Sequence, residues 1–370
     1  MGKRELLIIL GFLVVGTVAF QVTAPPDTST SSFSLGDFFR TARTEMRGNP
    51  GEGKFVHTAS LPIPPGIREV RLVNVQRGVK IVGDTKDSVD YEFTVTSSGP
   101  DDAGAEELAK STALIRDDVG DAMILRVEYP DPGSQRATIL MHVPAWMAVR
   151  VEGTTGVSVS GVAAVHLEAI RGDVTLDQVT GAITGAHQDG DLTIGGGQSV
   201  RMRLLRSAAR ISKITDGLIL DLRTADVEVS DSAGVLEVDE TRTDLTVSDH
   251  KGDVTFRGTD GRLIVRRPSA DVRVDVRRAE VEILMERAVP VTVITTDEPL
   301  RLILGDGLAF ALDAAATGSE IQAADVDLKP EVSGADARLT HVFGGNDRIR
   351  VSLRNTRGDI VLRKNSSRPE

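Results

Sequence analysis

The sequence predicts an all-β fold, namely a β-solenoid (a parallel β-helix) with coils of roughly 18 residues and one short helix in its N-terminal capping part. The first observation is a repeat, because pairs of apolar residues separated by one position recur between Val157 and Leu302. From Ala209 to Val281 every step between pairs is nine residues, which is typical of one short strand stacked per repeat. The second observation is composition: aromatic residues are only 4% of the chain, and 36 glycines and 15 prolines interrupt short runs of Val, Ile and Leu.

The spacing of aspartates indicates the coil length. Asp173 and Asp191 each stand just before a strand and are 18 residues apart, as are Asp226 and Asp244. This interval favours a coil of two strands and two turns, so that about eight coils fit between residues 157 and 302 at roughly 4.8 Å per coil. A coil of three nine-residue sides satisfies the period as well. We expect the inward apolar pairs to stack on their equivalents in neighbouring coils, and the aspartates to cap the turns.

The N-terminus predicts either an uncleaved membrane anchor or a cleaved signal peptide. Lys3 and Arg4 precede an apolar run from Leu6 to Val22, which is long for a signal core and short for a membrane span. We favour the anchor, because Pro25 and Pro26 directly follow the poor cleavage site. In both cases the positive charges stay inside, so the rest of the chain lies outside the cytoplasmic membrane.

Composition and periodicity divide the chain into six segments. Residues 24–54 are rich in Pro, Ser, Thr and Gly, and they cannot bury enough apolar surface to offset the entropy lost on ordering. The predicted segments are residues 1–23 (signal anchor or signal peptide), 24–54 (flexible linker), 55–151 (N-terminal β-rich cap), 152–304 (regular β-helix), 305–364 (C-terminal β closing region) and 365–370 (tail).

The N-terminal cap is predicted from alternating strands and one helical pattern. Apolar and small residues between Ala105 and Ile115 fall at helical spacing, after a start signal at Pro100, Asp101 and Asp102. An uncapped first coil would expose unpaired backbone groups that invite edge-to-edge association. The predicted strands are Glu69 to Val75, Gly78 to Val82, Asp90 to Thr96, Ala122 to Tyr129, Ala137 to Val143 and Ala148 to Val151.

The C-terminal region is predicted to close the stack. The period fails after Leu304, and the stretch as far as Pro330 is rich in Ala and Asp without clean alternation. Alternation returns from Arg348 to Leu353 and from Asp359 to Arg363, which predicts a closing coil.

Several short motifs occur in a characteristic order along the chain. They are the entry strand Val70 to Val82 with Asn74 and Gly78, the strand that ends at Val143 and Pro144, the Gly-Asp-Val/Leu-Thr units at Gly172, Gly190 and Gly252, and Phe343-Gly344-Gly345 followed by Ile349, Val351 and Arg357-Gly358-Asp359-Ile360. This order resembles the bacterial putative adhesins with domain of unknown function 4097, which are related to the head GIN domain proteins with domain of unknown function 2807.

The resemblance covers residues 55–364, and it implies a β-helical protein that is extracytoplasmic or membrane-anchored and has no established biochemistry. The chain departs from the family's pattern at Ala208 and Ala209, which replace Gly-Asp, and at Ile183, whose pair is broken by Gly185. Irregular coils are therefore expected at these positions.

The sequence contains no motif for a metal, a cofactor or catalysis. The absence of cysteine excludes disulfides and thiolate ligands, and the six histidines show no metal-ligand spacing. Calcium-binding β-rolls need paired glycines and tandem aspartates, whereas the aspartate of each unit here stands alone. Asp173 and Asp191 have the spacing of an acid and a base that flank a sugar, but no cluster of His, Tyr or Lys accompanies them. We therefore predict no enzyme, and no catalytic, cofactor-binding or metal-binding residues.

Arginines crowd several of the predicted coils. Guanidinium forks suit anionic groups such as those of teichoic acid, lipopolysaccharide phosphate or an acidic glycan. The alternative is ordinary ladders in which Arg and Asp pair along the sheet. The candidate anionic-ligand surface consists of Arg201, Arg203, Arg206, Arg210, Arg266, Arg267 and Arg273.

These features predict a non-enzymatic, adhesin-like protein of the cell envelope that binds an envelope polymer or a membrane or surface protein. The net charge of −11 argues against a nucleic-acid partner. One alternative is a regulatory or sensory ectodomain for envelope stress, acting through a partner protein in the membrane. A lesser alternative is a glycan-active β-helix enzyme, which would contain a deep groove lined by carboxylates.

Overall fold

The computed structural model describes residues 51–365. Most of these residues lie in β-strands, and the range also contains one α-helix and one 3₁₀ helix, which confirms the all-β class and the short N-terminal helix. Within the same range, no helix combines the length and apolar character needed to span a bilayer. The predicted membrane segment, residues 6–22, lies outside the described residues, as does most of the predicted linker.

The elements follow one another in three regions. The N-terminal region contains β1 (Gly51–Pro62), β2 (Glu69–Val73), β3 (Gly78–Asp84), β4 (Ser88–Gly99), α1 (Asp102–Ser111), β5 (Ala113–Val119), β6 (Ala122–Glu128) and β7 (Gln135–Pro144). The central region contains β8 (Ala148–Glu152), β9 (Val157–Ser160), β10 (Ala164–Arg171), β11 (Val174–Asp177), β12 (Ala182–Gly195), β13 (Gly197–Ser212), β14 (Ile214–Arg223), β15 (Asp226–Ser230), β16 (Val235–Ser248), β17 (Val254–Arg266), β18 (Val272–Met285), β19 (Val291–Thr296) and β20 (Leu300–Leu304). The C-terminal region contains β21 (Phe310–Thr317), β22 (Ile321–Gln322), the 3₁₀ helix (Ala324–Val326), β23 (Glu331–Ser333), β24 (Asp336–Phe343), β25 (Arg350–Thr356) and β26 (Ile360–Lys364).

Two rows of parallel strands make up the central region. In the first row, which contains Val200, residues 18 apart in sequence are paired, as Val200 is with Leu218. In the second row, which contains Ala209, the same interval pairs Ala209 with Val227. Each coil contributes one segment to each row, and long strands such as β13 and β17 continue through the turn between the rows. This register agrees with a coil of two strands and two turns, whereas three nine-residue sides would not give a pairing interval of 18.

The inward side chains of both rows form one aliphatic core. In β14, Leu218 and Leu220 are at most 1% exposed, and they stack between the equivalent pairs of the coils on either side. Each fully buried side chain of this size contributes about 1.5–3 kcal/mol to folding. The core therefore needs few aromatic residues, and Phe256 is one of the few that enter the ladder.

The first coil of the chain lies inside the stack and not at its end. Strand β2 pairs in parallel with β8 on one side and with β6 on the other, and β3 pairs in the same way with β9 and β7. The antiparallel strands β5 and β4 then extend the rows beyond β6 and β7, and β1 pairs with β4. Local alternation of apolar and polar residues predicts these strands but does not predict the order in which the coils are stacked.

Helix α1 contacts β1 and β4. It begins after Asp101, whose carboxylate accepts a hydrogen bond of 2.7 Å from the Gly104 amide. It ends sooner than its helical spacing predicts, because Ile115 already lies in β5. A side chain at Gly53 would collide with the backbone of Ala105 in this helix. The glycines that predict a linker therefore belong to β1, where they allow the helix to approach the strand.

The C-terminal end repeats the arrangement of the N-terminal end. Strand β25 lies between β19 and β21, and β26 lies between β20 and β22. The antiparallel strands β24 and β23 extend the row beyond β21. The last coil of the chain is thus enclosed by coils that precede it in sequence. The stretch predicted to lack alternation contains β21, in which alternate residues are buried.

Candidate functional site

The seven candidate arginines are spread over both rows and both edges of the stack. Arg201 and Arg203 project from β13 in the first row, since Met202 between them is buried, and Arg273 projects from β18 in the same row. Arg210 projects from β13 in the second row. The structure therefore brings Arg201 and Arg203 together on one strand.

The remaining candidates lie elsewhere. Arg266 projects from the second row at the end of β17. Arg206 lies in the turn that leads from the first row to the second, whereas Arg267 lies in the turn that leads back. These two turns are at opposite edges of the coil, so no single face of the stack presents all seven guanidinium groups.

Most of the outward arginines are paired with a carboxylate. Nε of Arg203 lies 2.8 Å from Oδ2 of Asp221, one coil farther along the stack, and Arg273 forms an ion pair with Asp271. Arg210 forms a longer pair with Glu228, at 3.9 Å. Among residues 51–365, Arg201 and Arg266 have no carboxylate within 4.0 Å. Exposed pairs of this kind contribute about 0–1 kcal/mol each.

Arginines in the turns form hydrogen bonds with aspartates of the neighbouring coil. Arg206 and Arg267 both have left-handed backbones, with φ of 50° and 54°. Arg206 donates two hydrogen bonds to Asp189, of 2.7 and 3.0 Å, and Arg267 forms the same fork with Asp249. The hydrogen bonds from these guanidinium groups lower the pKa of Asp189 and of Asp249. A left-handed residue other than glycine costs about 1–2 kcal/mol, which the bidentate fork partly offsets.

Aspartates cap the backbone of the following coil. The Asp191 amide donates to Oδ1 of Asp173 at 3.2 Å, and the Asp271 amide donates to Oδ1 of Asp253 at the same distance. This contact is the turn-capping role predicted from the spacing. Asp173 and Asp191 are also the two residues whose spacing would suit an acid and a base on either side of a sugar. The carboxylate of Asp173 is instead hydrogen bonded to the backbone amide of Asp191.

One turn at the edge between the rows is shorter than its neighbours. Val151 and Val157, the inward residues that flank it, are six positions apart, whereas Leu167 and Val174 in the next coil are seven apart. The next coil also contains a register shift in β10 after Leu167, where Ala169 is left-handed with φ of 55°. Beside this mismatch lies a groove of about 400 Å³, which we call the turn groove.

The turn groove combines apolar walls with two cations and a buried hydroxyl. Thr154 is only 3% exposed, and its buried Oγ1 has no hydrogen-bond partner. The residues that define the groove are Thr154, Ile170, Arg171, His187, Arg203 and Leu205. Sequence analysis singled out Arg203 alone among them. The missed signal is the interval of eight residues between the pairs that begin at Val149 and Val157, although the same interval also separates Val157 from Val165 and Leu192 from Val200.

A buried histidine closes the floor of the turn groove. His187 is 1% exposed, its Nε2 lies 2.7 Å from the Gly172 carbonyl oxygen, and its Nδ1 lies 3.0 Å from Oγ of Ser207. This network is satisfied when Nε2 carries the proton and the Ser207 hydroxyl donates to Nδ1. His250 makes the same contacts with Gly234 and Ser232 at the opposite edge. The repetition of the arrangement indicates a structural role for both histidines.

One acidic side chain points into the core of the first row. Glu240 is 6% exposed and occupies a position that holds Leu222 in the preceding coil and Gly258 in the following one. The Thr243 amide donates to its Oε2 at 3.1 Å, whereas its Oε1 has no partner. Burial raises the pKa of Glu240 to about 8, and the charge of nearby Asp260 adds to the increase. The carboxyl group is therefore protonated at neutral pH.

Comparisons with known proteins give likenesses in shape. No family model matches the sequence, and no curated protein is significantly similar to it. The chain is similar to a putative cell adhesion protein from Clostridium sporogenes, with 11% identity, coverage of 84% of this chain and 99% of that chain, and a TM-score of 0.22. It is also similar to a putative lipid binding protein from Parabacteroides distasonis, with 9% identity, coverage of 84% and 96%, and a TM-score of 0.28.

A third similar structure is a putative adhesin from Bacteroides fragilis, with 11% identity, coverage of 83% of this chain and 97% of that chain, and a TM-score of 0.23. Two of these three proteins are thus named for adhesion. At such low identities and TM-scores the likenesses carry no argument about the activity of this chain, and membership of the adhesin family stays a prediction.

Proposed function

We propose that the chain is a non-enzymatic binding protein of the cell envelope, a β-solenoid tethered through residues 6–22 that holds residues 51–365 outside the cytoplasmic membrane. The tether and its orientation are supported by the sequence, since Lys3 and Arg4 precede the apolar run. The stacked coils support a role in display, because repeat folds present extended surfaces along their length.

The ligand is an anionic polymer, and the outward arginines of the first row carry this proposal. Arg201 and Arg203 project from one strand, and Arg273 projects from the same row four coils farther along. The two positions are roughly 19 Å apart at about 4.8 Å per coil. Among the described residues Arg201 has no carboxylate within 4.0 Å, so its guanidinium is open to a ligand. A chain with repeating phosphates or carboxylates can contact both positions at once.

The test is calorimetric titration of the full-length chain with teichoic acid, lipopolysaccharide and an acidic glycan at two salt concentrations. We expect at least one polymer to bind, with an affinity that falls as salt rises because exposed charges are screened. The double variant Arg201→Ala with Arg203→Ala should weaken binding about tenfold, which corresponds to about 1.4 kcal/mol.

The matched control is Arg210→Ala with Arg266→Ala, which removes two guanidinium groups from the second row and should leave the affinity unchanged. The proposal is wrong if none of the polymers shows salt-sensitive binding. It is also wrong if the two double variants weaken binding equally, because the effect would then be one of net charge only.

A further inference from the structure

We infer that the turn groove is a binding site for a small amphipathic anion, a short apolar body that ends in a carboxylate. This site shares Arg203 with the polymer surface of the first row, but its other lining residues include three successive turns at one edge of the stack and exclude Arg201 and Arg273. Its volume of about 400 Å³ lies within the range of small-molecule sites.

The apolar walls fit the body of such a ligand. Ile170 and Leu205 line the groove, and Ala169 and Ala186 complete its apolar wall. Ile170 is 1% exposed and belongs to the core, so its position is fixed by packing. A wall set by the core is formed before a ligand arrives, which lowers the entropy lost on binding.

The charges at the groove favour an anion. Arg171 and Arg203 are both lining residues, and no lining residue is acidic. Arg203 is paired with Asp221, which is not a lining residue, whereas Arg171 has no carboxylate within 4.0 Å among the described residues. A guanidinium fork binds a carboxylate through two parallel hydrogen bonds.

The Thr154 hydroxyl supplies an independent sign of a ligand. Buried hydroxyl groups are nearly always hydrogen bonded in folded proteins. Oγ1 of Thr154 has no partner, although its own backbone carbonyl accepts from the Arg171 amide at 3.1 Å. The hydroxyl and the Arg171 side chain therefore start from paired residues of adjacent turns, and both can donate to one carboxylate.

A register shift lies at the same place. The pairing of β10 with β12 shifts between Leu167 and Ile170, and Ala169 between them has the left-handed conformation that recurs at other turns of the stack. In the next coil Gly185 has a φ of 133°, and a side chain there would collide with the Leu167 carbonyl.

The experiment is calorimetric titration of the full-length chain with hexanoate, acetate and 1-hexanol at low salt. Hexanoate should bind in the micromolar to millimolar range, and acetate and 1-hexanol should each bind at least tenfold more weakly, because one lacks the apolar body and the other the charge. Thr154→Val, which keeps the volume and removes only the hydroxyl, and Arg171→Gln should each weaken hexanoate binding about fivefold or more.

Two matched variants complete the test. Arg201→Ala and Arg210→Gln remove guanidinium groups outside the groove and should leave hexanoate binding unchanged, so loss of polymer binding and loss of hexanoate binding are separable. Circular dichroism of Thr154→Val should match that of the parent chain. The inference is overturned if hexanoate does not bind, if 1-hexanol binds as tightly, or if Thr154→Val and Arg171→Gln bind hexanoate like the parent.

Discussion

Replacement of Glu240 by glutamine should change how the stability of the protein depends on pH. Glu240 is buried in the core of the first row, and its pKa is raised to about 8 from an ordinary value of 4.5. Between these two values the folded state keeps the proton and the unfolded state loses it. The free energy of unfolding therefore falls as pH rises, by about 1.4 kcal/mol per pH unit.

The magnitude follows from the width of this interval. Raising the pH from 5 to 8 should remove about 4 kcal/mol of stability through Glu240 alone. Glutamine does not titrate, so this dependence disappears in Glu240→Gln. The amide leaves buried N–H groups without partners at a constant cost of about 1–3 kcal/mol. The parent chain should be the more stable protein at pH 5, and the variant should be the more stable one above pH 8.

His250 has the opposite effect on the pH dependence of the free energy of unfolding, and this effect appears at lower pH. Burial lowers the pKa of His250 below its ordinary value of 6.5, so the unfolded state takes up a proton first as the pH falls. The contribution of His250 is therefore complete above pH 6.5 and is lost as the pH falls below that value. The slope caused by Glu240 is best measured between pH 6.5 and 8.

The assay is urea unfolding followed by far-ultraviolet circular dichroism at half-unit steps of pH. Glu237→Gln is the matched control, because Glu237 is exposed on the same strand and its replacement should leave the slope as in the parent. The reasoning is refuted if Glu240→Gln and the parent lose stability in parallel between pH 6.5 and 8. That outcome would mean that the carboxyl group is ionised in the folded state.

Two further predictions concern the turns and the core. Arg278 is left-handed with φ of 51° and donates hydrogen bonds of 2.6 and 2.9 Å to Asp260. Arg278→Ala should therefore be about 1 kcal/mol less stable than Arg278→Gly in urea unfolding. At Arg277, in the extended part of β18, the alanine variant should be the more stable of the two. Equal stabilities of the two Arg278 variants would contradict the argument that the left-handed backbone is strained. In the core, Leu220→Ala should lower the free energy of unfolding by about 2–5 kcal/mol, whereas Ile219→Ala on the outer face of β14 should change it by about 0.5 kcal/mol or less. Thermal melts in which Ile219→Ala is the less stable variant would contradict the assignment of inner and outer faces.

The sequence predicted the interior of the central region well because alternation has a single physical cause. A strand buries every second side chain, so a pair such as Val227 and Val229 marks both the strand and its inward face. The interval of 18 between aspartates likewise matches the observed register. These features are local or strictly periodic, which is the kind of information that a sequence displays directly.

The order of the coils at both ends could not be predicted in this way. Strand β2 has the same alternation whether it lies at the end of the stack or between β6 and β8. The left-handed arginines were missed for a related reason. Glycine and asparagine are the usual signals of that conformation, whereas Arg206 and Arg267 are held there by carboxylates of another coil.

The candidate site shows the same division. Sequence analysis predicted arginines that face outward, and Arg201 and Arg203 do share one strand. It did not predict the turn groove, because the groove depends on the difference in length between two consecutive turns. It did note irregular pairing at Gly185, which lies in the coil next to the groove. That departure from the period lies close to the groove, whereas the one expected at Ala208 and Ala209 is not observed, since both residues pair with β15 in regular register.

The enclosed end coils explain how a long stack can end without exposing the unpaired edge of a parallel coil. A terminal parallel coil would offer the same hydrogen-bonding edge that holds the interior together, and a second molecule could extend it. Here antiparallel strands, such as β23 with β24 and β5 with β6, end the parallel register, except beyond β26, where the two-residue parallel strand β22 is outermost. Because β2 and β25 are each paired on both sides, removing either strand from the stack requires breaking two ladders.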